Sequence, residues 1–530
     1  MWVALGHPFF FRHTFLGIWA KIYTPMPLRL VFTYLLLLSC ASLSAQSNYW
    51  TQQYGARATL TGGVCMSCRN DNSVFYYNPG AIGFIDSANI NIASQIYGLD
   101  FINLKNAAGS GIDMNNNRLS INAQVMVGNL SFKKIPRLKL VYGYIMRNFQ
   151  KFEFDVEHNM FYDVIPQAAG QEYYRAKYDY EYNFFEFWGG IAAGYRINDH
   201  ISIGLGHYGG YVGIRKEIFS SVTVDAVDTT DAAYVASVTT RDEYKVDHMY
   251  VLFKPGIDIR FGKYKIAITA MLPSAKLWGQ GSIEKSIDAN GLDKYYDNPS
   301  GVYGLFPSFA LAINQRQIKA KYKIAPSIAF GLEYENKRCR LAMALEYYFP
   351  IKEYEIMHAD NAYIRPTTAG SMINLEDFAS VKAGAYSVLN VGFGAEIKVA
   401  RRWTVLTGAH TDFNNKVPLF KREAKNYVTE TTPGSWHYMN FALGFSYRKA
   451  NGLTFFGGTY NYGFSGNNNS FINFSEPTLG NNLTGVDRKD MRVNIHQFAL
   501  VLGHTHFING LALDKLGKKK RGTKSKKEKD

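Results

Sequence analysis

The chain has 530 residues, 47% hydrophobic and 15% aromatic, with 37 Tyr and 36 Phe and a formal charge of +15. Nine basic and two acidic residues fall between 515 and 530, and Arg12, Lys21 and Arg29 add three more positive charges near the start. The body is therefore only mildly basic, which argues against nucleic acid as a partner, and a ring-rich but polar composition suits a wall that is apolar on one face.

The first predicted element is an export signal. Leu30 to Leu38 is a nine-residue apolar run preceded by Arg29 and followed by Ser39, Ala41, Ser42, Ser44 and Ala45, the layout of a secretory leader cleaved near Ala45 or Gln46. It is too short to span a bilayer as a helix, which takes about 20 apolar residues. Residues 1 to 25 fit a leader poorly and point to Met26 as the true start. Cys40 is a poor lipidation site, with an atypical Leu two places before it. No other segment offers a membrane helix, so anything embedded is embedded as strands.

Residues 46 to 89 carry no strand pattern. They read Gly55-Ala56-Arg57-Ala58-Thr59-Leu60, then Cys65-x-x-Cys68, then Asp71-Asn72-Ser73 and Tyr77-Asn78-Pro79-Gly80-Ala81. In an exported segment Cys65 and Cys68 favour a disulfide, with free thiols or a redox or metal role as alternatives; metal binding needs further ligands at matching spacing. Asn78 before Pro79 forms a good turn, because Pro fixes φ, Asn bonds back to its own backbone, and Gly80 allows a positive φ.

Strands are predicted at 90–100, 119–132, 138–150, 184–197, 201–214, 248–261, 264–275, 322–335, 339–350, 386–399, 402–414, 436–448, 453–465 and 491–504. Period-two alternation is clear in most. Leu389, Val391, Phe393, Ala395 and Ile397 oppose Asn390, Gly392, Gly394, Glu396 and Lys398; Leu341, Met343 and Leu345 oppose Arg340, Ala342 and Ala344. The connectors alternate: seven run 18 to 46 residues and the six between them run 2 to 5. An antiparallel outer-membrane barrel has this rhythm, because its periplasmic turns only reverse the chain while its extracellular loops are free to grow. The expected fold is thus all-β, a 14-stranded antiparallel transmembrane β-barrel over 90–504. An even count puts both ends in the periplasm, with the basic turns and the basic tail, 505–530, beside lipid head groups or the cell wall. Fourteen strands enclose a lumen too wide to fill from the wall. Residues 46–89 are large enough to plug it.

Before the fourth strand, Tyr178, Tyr180, Tyr182 and Phe184 alternate with Asp179, Glu181 and Asn183. This implies a strand projecting above the membrane, with an aromatic face for ligand capture or for loop packing. Gly204-x-Gly206-x-x-Gly209 lies inside a strand and reads as a small-residue face of the wall, not as a dinucleotide site. No G-x-S-x-G, H-E-x-x-H or P-loop occurs. His410 and Asp412 share a strand face, where an aromatic-girdle or loop role outweighs catalysis, and no cofactor is expected.

Residues 46 to about 504 resemble the FadL-type outer-membrane transport family, on the Gly/Ala-rich stretch, the acidic-x-Ser turn and the aromatic-Asn-Pro signature quoted above. The resemblance implies that residues 46–89 form a hatch inside the barrel, with Asp71, Ser73, Tyr77, Asn78, Pro79 and Gly80 as its gating positions; Gly80 stands where the family usually has Ala. It also implies a non-enzymatic transporter of hydrophobic small molecules such as long-chain fatty acids, moved by diffusion through a plugged barrel. The alternative is a scaffold of a protein-secretion system that docks a periplasmic partner through the basic tail.

Overall fold

The computed structural model describes residues 48–508 except 69, 87, 133, 166–169, 226–234, 293–308, 360–362, 365–372, 375–380, 416–428 and 431–435. The leader and Met26 lie outside the described residues, as does the basic tail beyond residue 508; residues 505–507, expected in the tail, belong to the last strand. The strands, in chain order, are β1 (Asn89–Lys105), β2 (Met114–Ser131), β3 (Leu138–Tyr162), β4 (Glu172–Arg196), β5 (Ile201–Asp225), β6 (Val235–Phe261), β7 (Tyr264–Met271), β8 (Ala275–Asn290), β9 (Phe309–Lys319), β10 (Ser327–Glu335) and β11 (Cys339–Tyr348). After these come β12 (Ile351–Met357), β13 (Tyr363–Ile364), β14 (Ile373–Asn374), β15 (Val381–Ala385), β16 (Val388–Lys398), β17 (Trp403–Asp412), β18 (Thr429–Glu430), β19 (His437–Lys449), β20 (Gly452–Asn468) and β21 (Met491–Phe507).

Fourteen of these close into a ring, β1 to β7, then β10, β11, β16, β17, β19, β20 and β21, which pairs back onto β1; every neighbouring pair is antiparallel. Each expected strand is a member. Asn89 pairs with Phe507, so the ring begins and ends on the rim that carries the short turns. Closure removes the unpaired edges that an open sheet of this size would expose.

The alternation sorts the two faces. Leu341, Leu389, Phe393, Leu443 and Leu500 point outward and are exposed, while Gly392, Gly394, Asn390 and Glu346 point inward and are buried. A continuous outer belt of large apolar side chains is a lipid-facing wall, because water would not tolerate so large an exposed patch.

The long connectors are shorter than the sequence pattern suggests, because strands consume them. β3 to β6 continue well past the belt, and β6 switches partners there: Gly256–Phe261 pair with β7, whereas Ser237–Val251 pair with β8, which pairs with β9. Uninterrupted alternation carries the strands outward. The outer face changes character at one level across the sheet. The apolar row Phe187, Tyr211, Met249 and Trp278 gives way to Lys151, Asn183, Arg215 and Lys245, and then to Glu153, Glu181, Glu217, Glu243 and Glu284, in direct register. Five like charges side by side would repel. Arg241 reaches three of them, Glu217 at 3.1 Å, Glu243 at 3.0 Å and Glu284 at 3.7 Å, and Lys151 and Lys245 hold Glu153 at 2.5 Å and Glu243 at 2.7 Å. Such rows belong in water, so this part of the sheet stands clear of the bilayer.

Candidate functional site in the barrel lumen

The described residues of 48–86 lie inside the ring. They touch strands from every side of it, a set of partners that only the interior can reach: Asn91 on β1, Arg147 on β3, Tyr208 on β5, Asp258 on β6, Glu346 on β11, Glu396 on β16 and Asp412 on β17. With only two short helices, Ala56–Leu60 and Val74–Tyr77, and a 3-10 turn at Pro79–Phe84, the segment cannot satisfy its own backbone, so wall side chains do so.

Asp412 holds the start of the segment. Its Oδ1 accepts from the backbone N–H groups of Tyr49 and Trp50, both at 2.9 Å, and its Oδ2 from Thr51 Oγ1 at 2.5 Å. Trp50 Nε1 donates to Glu346 Oε2 at 2.7 Å, and His410 Nε2 lies 3.0 Å from the Trp50 carbonyl. His410 and Asp412 are buried lumenal anchors, which corrects the girdle or loop role expected for them. Their inward parity on β17 was the signal.

The Asn78-Pro79-Gly80 turn packs against β5 and β6, while Asp71 faces β1. Asp71 Oδ1 accepts from Ser73 N at 2.9 Å, closing an Asx turn, and from Asn91 Nδ2 at 3.2 Å. Tyr77 Oη donates to Gln53 Oε1 at 2.7 Å and accepts from Tyr54 N at 2.9 Å, tying the two halves of the segment together. Asn78 caps the 3-10 turn: its Oδ1 accepts from Gly80 N at 3.0 Å, and its Nδ2 donates to the Ile257 carbonyl at 3.1 Å. Pro79 opens the turn at a position that needs no N–H.

Gly80 departs from expectation, since its φ is not positive. A β-carbon there would stand 2.7 Å from the backbone of Gly256 and Ile257, so Gly is needed for close approach instead. The wall supplies the matching recess, Gly194, Gly204 and Gly256, one from each of three adjacent strands in direct register. Of the glycine triplet in β5, Gly204 and Gly206 point inward, whereas Gly209 faces outward and is exposed, so the three share no face.

Cys65 and Cys68 are joined by a disulfide, with Cα atoms 5.0 Å apart. It shapes the turn that presents Ser67 Oγ to Asp258 Oδ2 at 2.5 Å. Cys339, on β11, is free.

Above this floor sits a cage that the sequence reading missed. Arg147 and Lys254, 4% and 2% exposed, face each other's surroundings of Tyr54, Tyr76 and Trp188. The Arg147 guanidinium lies 5.5 Å from the Tyr76 ring centre and 5.6 Å from that of Trp188, and Lys254 Nζ lies 4.2 Å from Tyr76. Arg147 donates only to neutral oxygens, the Tyr49 carbonyl at 3.1 Å and Tyr54 Oη at 3.0 Å, and its Nε has no partner. Glu186 is nearby but is used by Trp188 Nε1 at 2.8 Å and Tyr250 Oη at 2.6 Å. Glu346, the other nearby carboxylate, accepts from Trp50 Nε1 at 2.7 Å and Ser327 Oγ at 2.6 Å. Two buried cations held by rings and dipoles, in no ion pair among the described residues, make a site that can take an anion in an apolar setting.

Tyr178, Tyr180, Tyr182 and Phe184 line the inner face of projecting β4 and are all buried. Phe471 covers Tyr180, with ring centres 5.3 Å apart, and Tyr178 and Phe154 at 6.4 Å; Tyr322 covers Phe184 at 5.9 Å. The face is roofed, not an open landing surface. Burial pushes the Tyr174 phenol up, so it stays a neutral donor to the Leu483 carbonyl at 3.0 Å and pins the roof.

No family model and no curated protein matches the sequence. Among solved structures, a Pseudomonas aeruginosa FadL homologue is similar at 12% identity and a TM-score of 0.49, covering 88% of this chain and 100% of its own. The Pseudomonas putida toluene transporter TodX is similar at 9% identity and a TM-score of 0.43, covering 88% and 100%. The CymD monoaromatic hydrocarbon channel is similar at 12% identity and a TM-score of 0.43, covering 86% and 98%.

Proposed function

We propose that this chain is an outer-membrane channel of FadL type that moves hydrophobic small molecules, foremost long-chain carboxylates such as fatty acids, past a lumenal hatch. The observation that supports it is the cage of Arg147 and Lys254. A neutral hydrocarbon needs only the rings of the roofed entry and the cage, but two buried cations in no ion pair among the described residues, beside carboxylates already hydrogen-bonded to neutral donors, favour a ligand with an acidic head and an apolar body. The ligand would be captured among the aromatic side chains of projecting β3 and β4 and drawn to the cage. It would then pass as the Asn78-Pro79-Gly80 turn shifts on its glycine recess.

The test is uptake of a long-chain fatty acid and of toluene into proteoliposomes by wild type, Arg147→Met and Lys254→Met. A charge-assisted hydrogen bond in a buried site contributes about 1.5–3 kcal/mol, so each change should weaken fatty-acid binding about tenfold or more. Toluene uptake should be nearly unaffected. Equal loss for both compounds, or loss for neither, would sink the reading.

A further inference from the structure

The hatch is also fastened near the rim of short turns, by charges. Arg57, on the helix Ala56–Leu60, forms a two-point pair with Glu396, Nε to Oε1 at 2.7 Å and Nη2 to Oε2 at 2.9 Å. Arg340 shares Glu396 Oε1 at 2.9 Å, reaches Glu333 at 2.7 Å and donates to the hatch carbonyl of Val64 at 2.6 Å. One carboxylate, Glu396, therefore serves two guanidinium groups.

This cluster opens onto a cavity of about 260 Å³ at the turn rim, with Arg57, Arg340 and Glu396 in its lining. Around it stand five further cations, Arg338, Lys398, Arg401, Arg402 and Arg448, all exposed and none in an ion pair among the described residues. Two use a donor on a neutral oxygen, Arg402 on Tyr447 Oη at 3.3 Å and Lys398 on the Lys337 carbonyl at 3.2 Å. The other lining carboxylate, Glu335, is already bonded to Lys265 at 2.5 Å. Seven cations thus converge on a small recess whose two carboxylates are both committed. Positive charge concentrated in a cleft with low-dielectric walls focuses the field and attracts an anion strongly. Guanidinium forks from separate turns suit the several acceptor oxygens of a phosphoryl group better than a single carboxylate.

We propose that this cavity is a phosphoryl-binding site that controls the hatch from the turn side, the bound anion competing with Glu396 for Arg57 and so loosening the helix Ala56–Leu60. The site stands apart from the transport reading, since anion binding and hatch mobility can be measured with no hydrophobic ligand present. The phosphoryl group has two possible sources, free phosphate or an anionic phospholipid head group, because the rim lies where the apolar belt ends.

The test uses the full-length protein in phosphatidylcholine nanodiscs. Inorganic phosphate binding is measured by calorimetry, and hatch mobility by amide hydrogen exchange over residues 56–60. Phosphate should bind and speed exchange at these amides severalfold, and raised salt should weaken binding, as exposed charges are screened. The double variant Arg401→Gln/Arg448→Gln, confined to surface turns, should bind phosphate at least about tenfold more weakly. Nanodiscs containing phosphatidylglycerol but no free phosphate identify the source: faster exchange there assigns the lipid head group, and faster exchange with phosphate alone assigns the free anion. Undiminished phosphate binding in the double variant overturns the site. Exchange unchanged or slowed by both phosphate and phosphatidylglycerol overturns the control of the hatch.

Discussion

Pro79 lays its carbonyl against Gly204 so closely that a β-carbon on Gly204 would overlap it. The contact couples the hatch turn directly to the wall backbone, with no side chain between them to yield. Gly204→Ala should therefore leave the strand pairing of β5 intact but displace the Asn78-Pro79-Gly80 turn, at a cost of about 1–3 kcal/mol for overpacking. In planar bilayers the variant should conduct ions more than wild type. Conductance equal to wild type would mean that the turn has a second seat. Gly209→Ala, on the outward face of the same strand, is the control.

Asp412 is the second fastening. Its carboxylate satisfies two backbone N–H groups and one hydroxyl of a segment with little secondary structure of its own. Asp412→Ala leaves those buried donors without acceptors and should cost about 3 kcal/mol or more, whereas Asp412→Asn keeps one good acceptor and should cost less. Hydrogen exchange at Tyr49 and Trp50 should rise sharply in Asp412→Ala and modestly in Asp412→Asn, while amides of β17 stay protected. Equal exchange in the two variants would show that charge, not acceptor geometry, holds the segment.

These anchors show how far the sequence could be read. All fourteen wall strands were legible, since each had to alternate to present one face to lipid and the other to the lumen, and the short turns fixed their ends. The extension of β3 to β6 was legible only at Tyr178–Phe184, where rings alternate with charges. Its full length was hidden, because projecting strands and long loops are both polar. The motif around Asn78 marked the hatch turn, but the partners of that turn are glycines spread over three strands, and glycine has no face to reveal its direction. Arg147, Lys254 and Asp412 were harder still. Each is a single charged residue at an inward position, and its meaning depends on a residue far away in the chain, 98 positions for Arg147 and Tyr49 and 362 for Asp412 and Trp50.

The disulfide is local, closing a loop of sequence separation 3 between Cys65 and Cys68. Chain-entropy arguments give so short a loop at most about 2 kcal/mol. Reduction, or the double change Cys65→Ser/Cys68→Ser, should therefore leave the unfolding midpoint of the barrel nearly unchanged. The effect should appear instead at Ser67, whose bond to Asp258 depends on the turn, as faster exchange over 64–68. A large fall in the unfolding midpoint would show that the bridge, not the wall, organises the lumen.

The roof over the projecting aromatic face turns on Phe471. Its ring is in contact with those of Phe154, Tyr178 and Tyr180, so Phe471→Ala removes the shared partner of all three and leaves a gap among rings. The segment should stay in place because Tyr174 Oη still donates to the Leu483 carbonyl, so the change makes a hole without releasing the loop. Phe471 is only half-buried, so the change should cost less than replacing a fully buried Phe by Ala, which costs about 3–5 kcal/mol. At the edge of a wall bathed in water the gap should admit solvent and apolar probes. A fluorescent hydrophobic dye should then bind Phe471→Ala more strongly than wild type, and hydrophobic solutes should enter faster if the roof limits access. Tyr174→Phe, which frees the loop but keeps the rings, separates the two effects: it should raise the mobility of residues 478–485 while dye binding changes little. Stronger dye binding in Tyr174→Phe than in Phe471→Ala would instead make the loop, and not the ring, the barrier to the aromatic face.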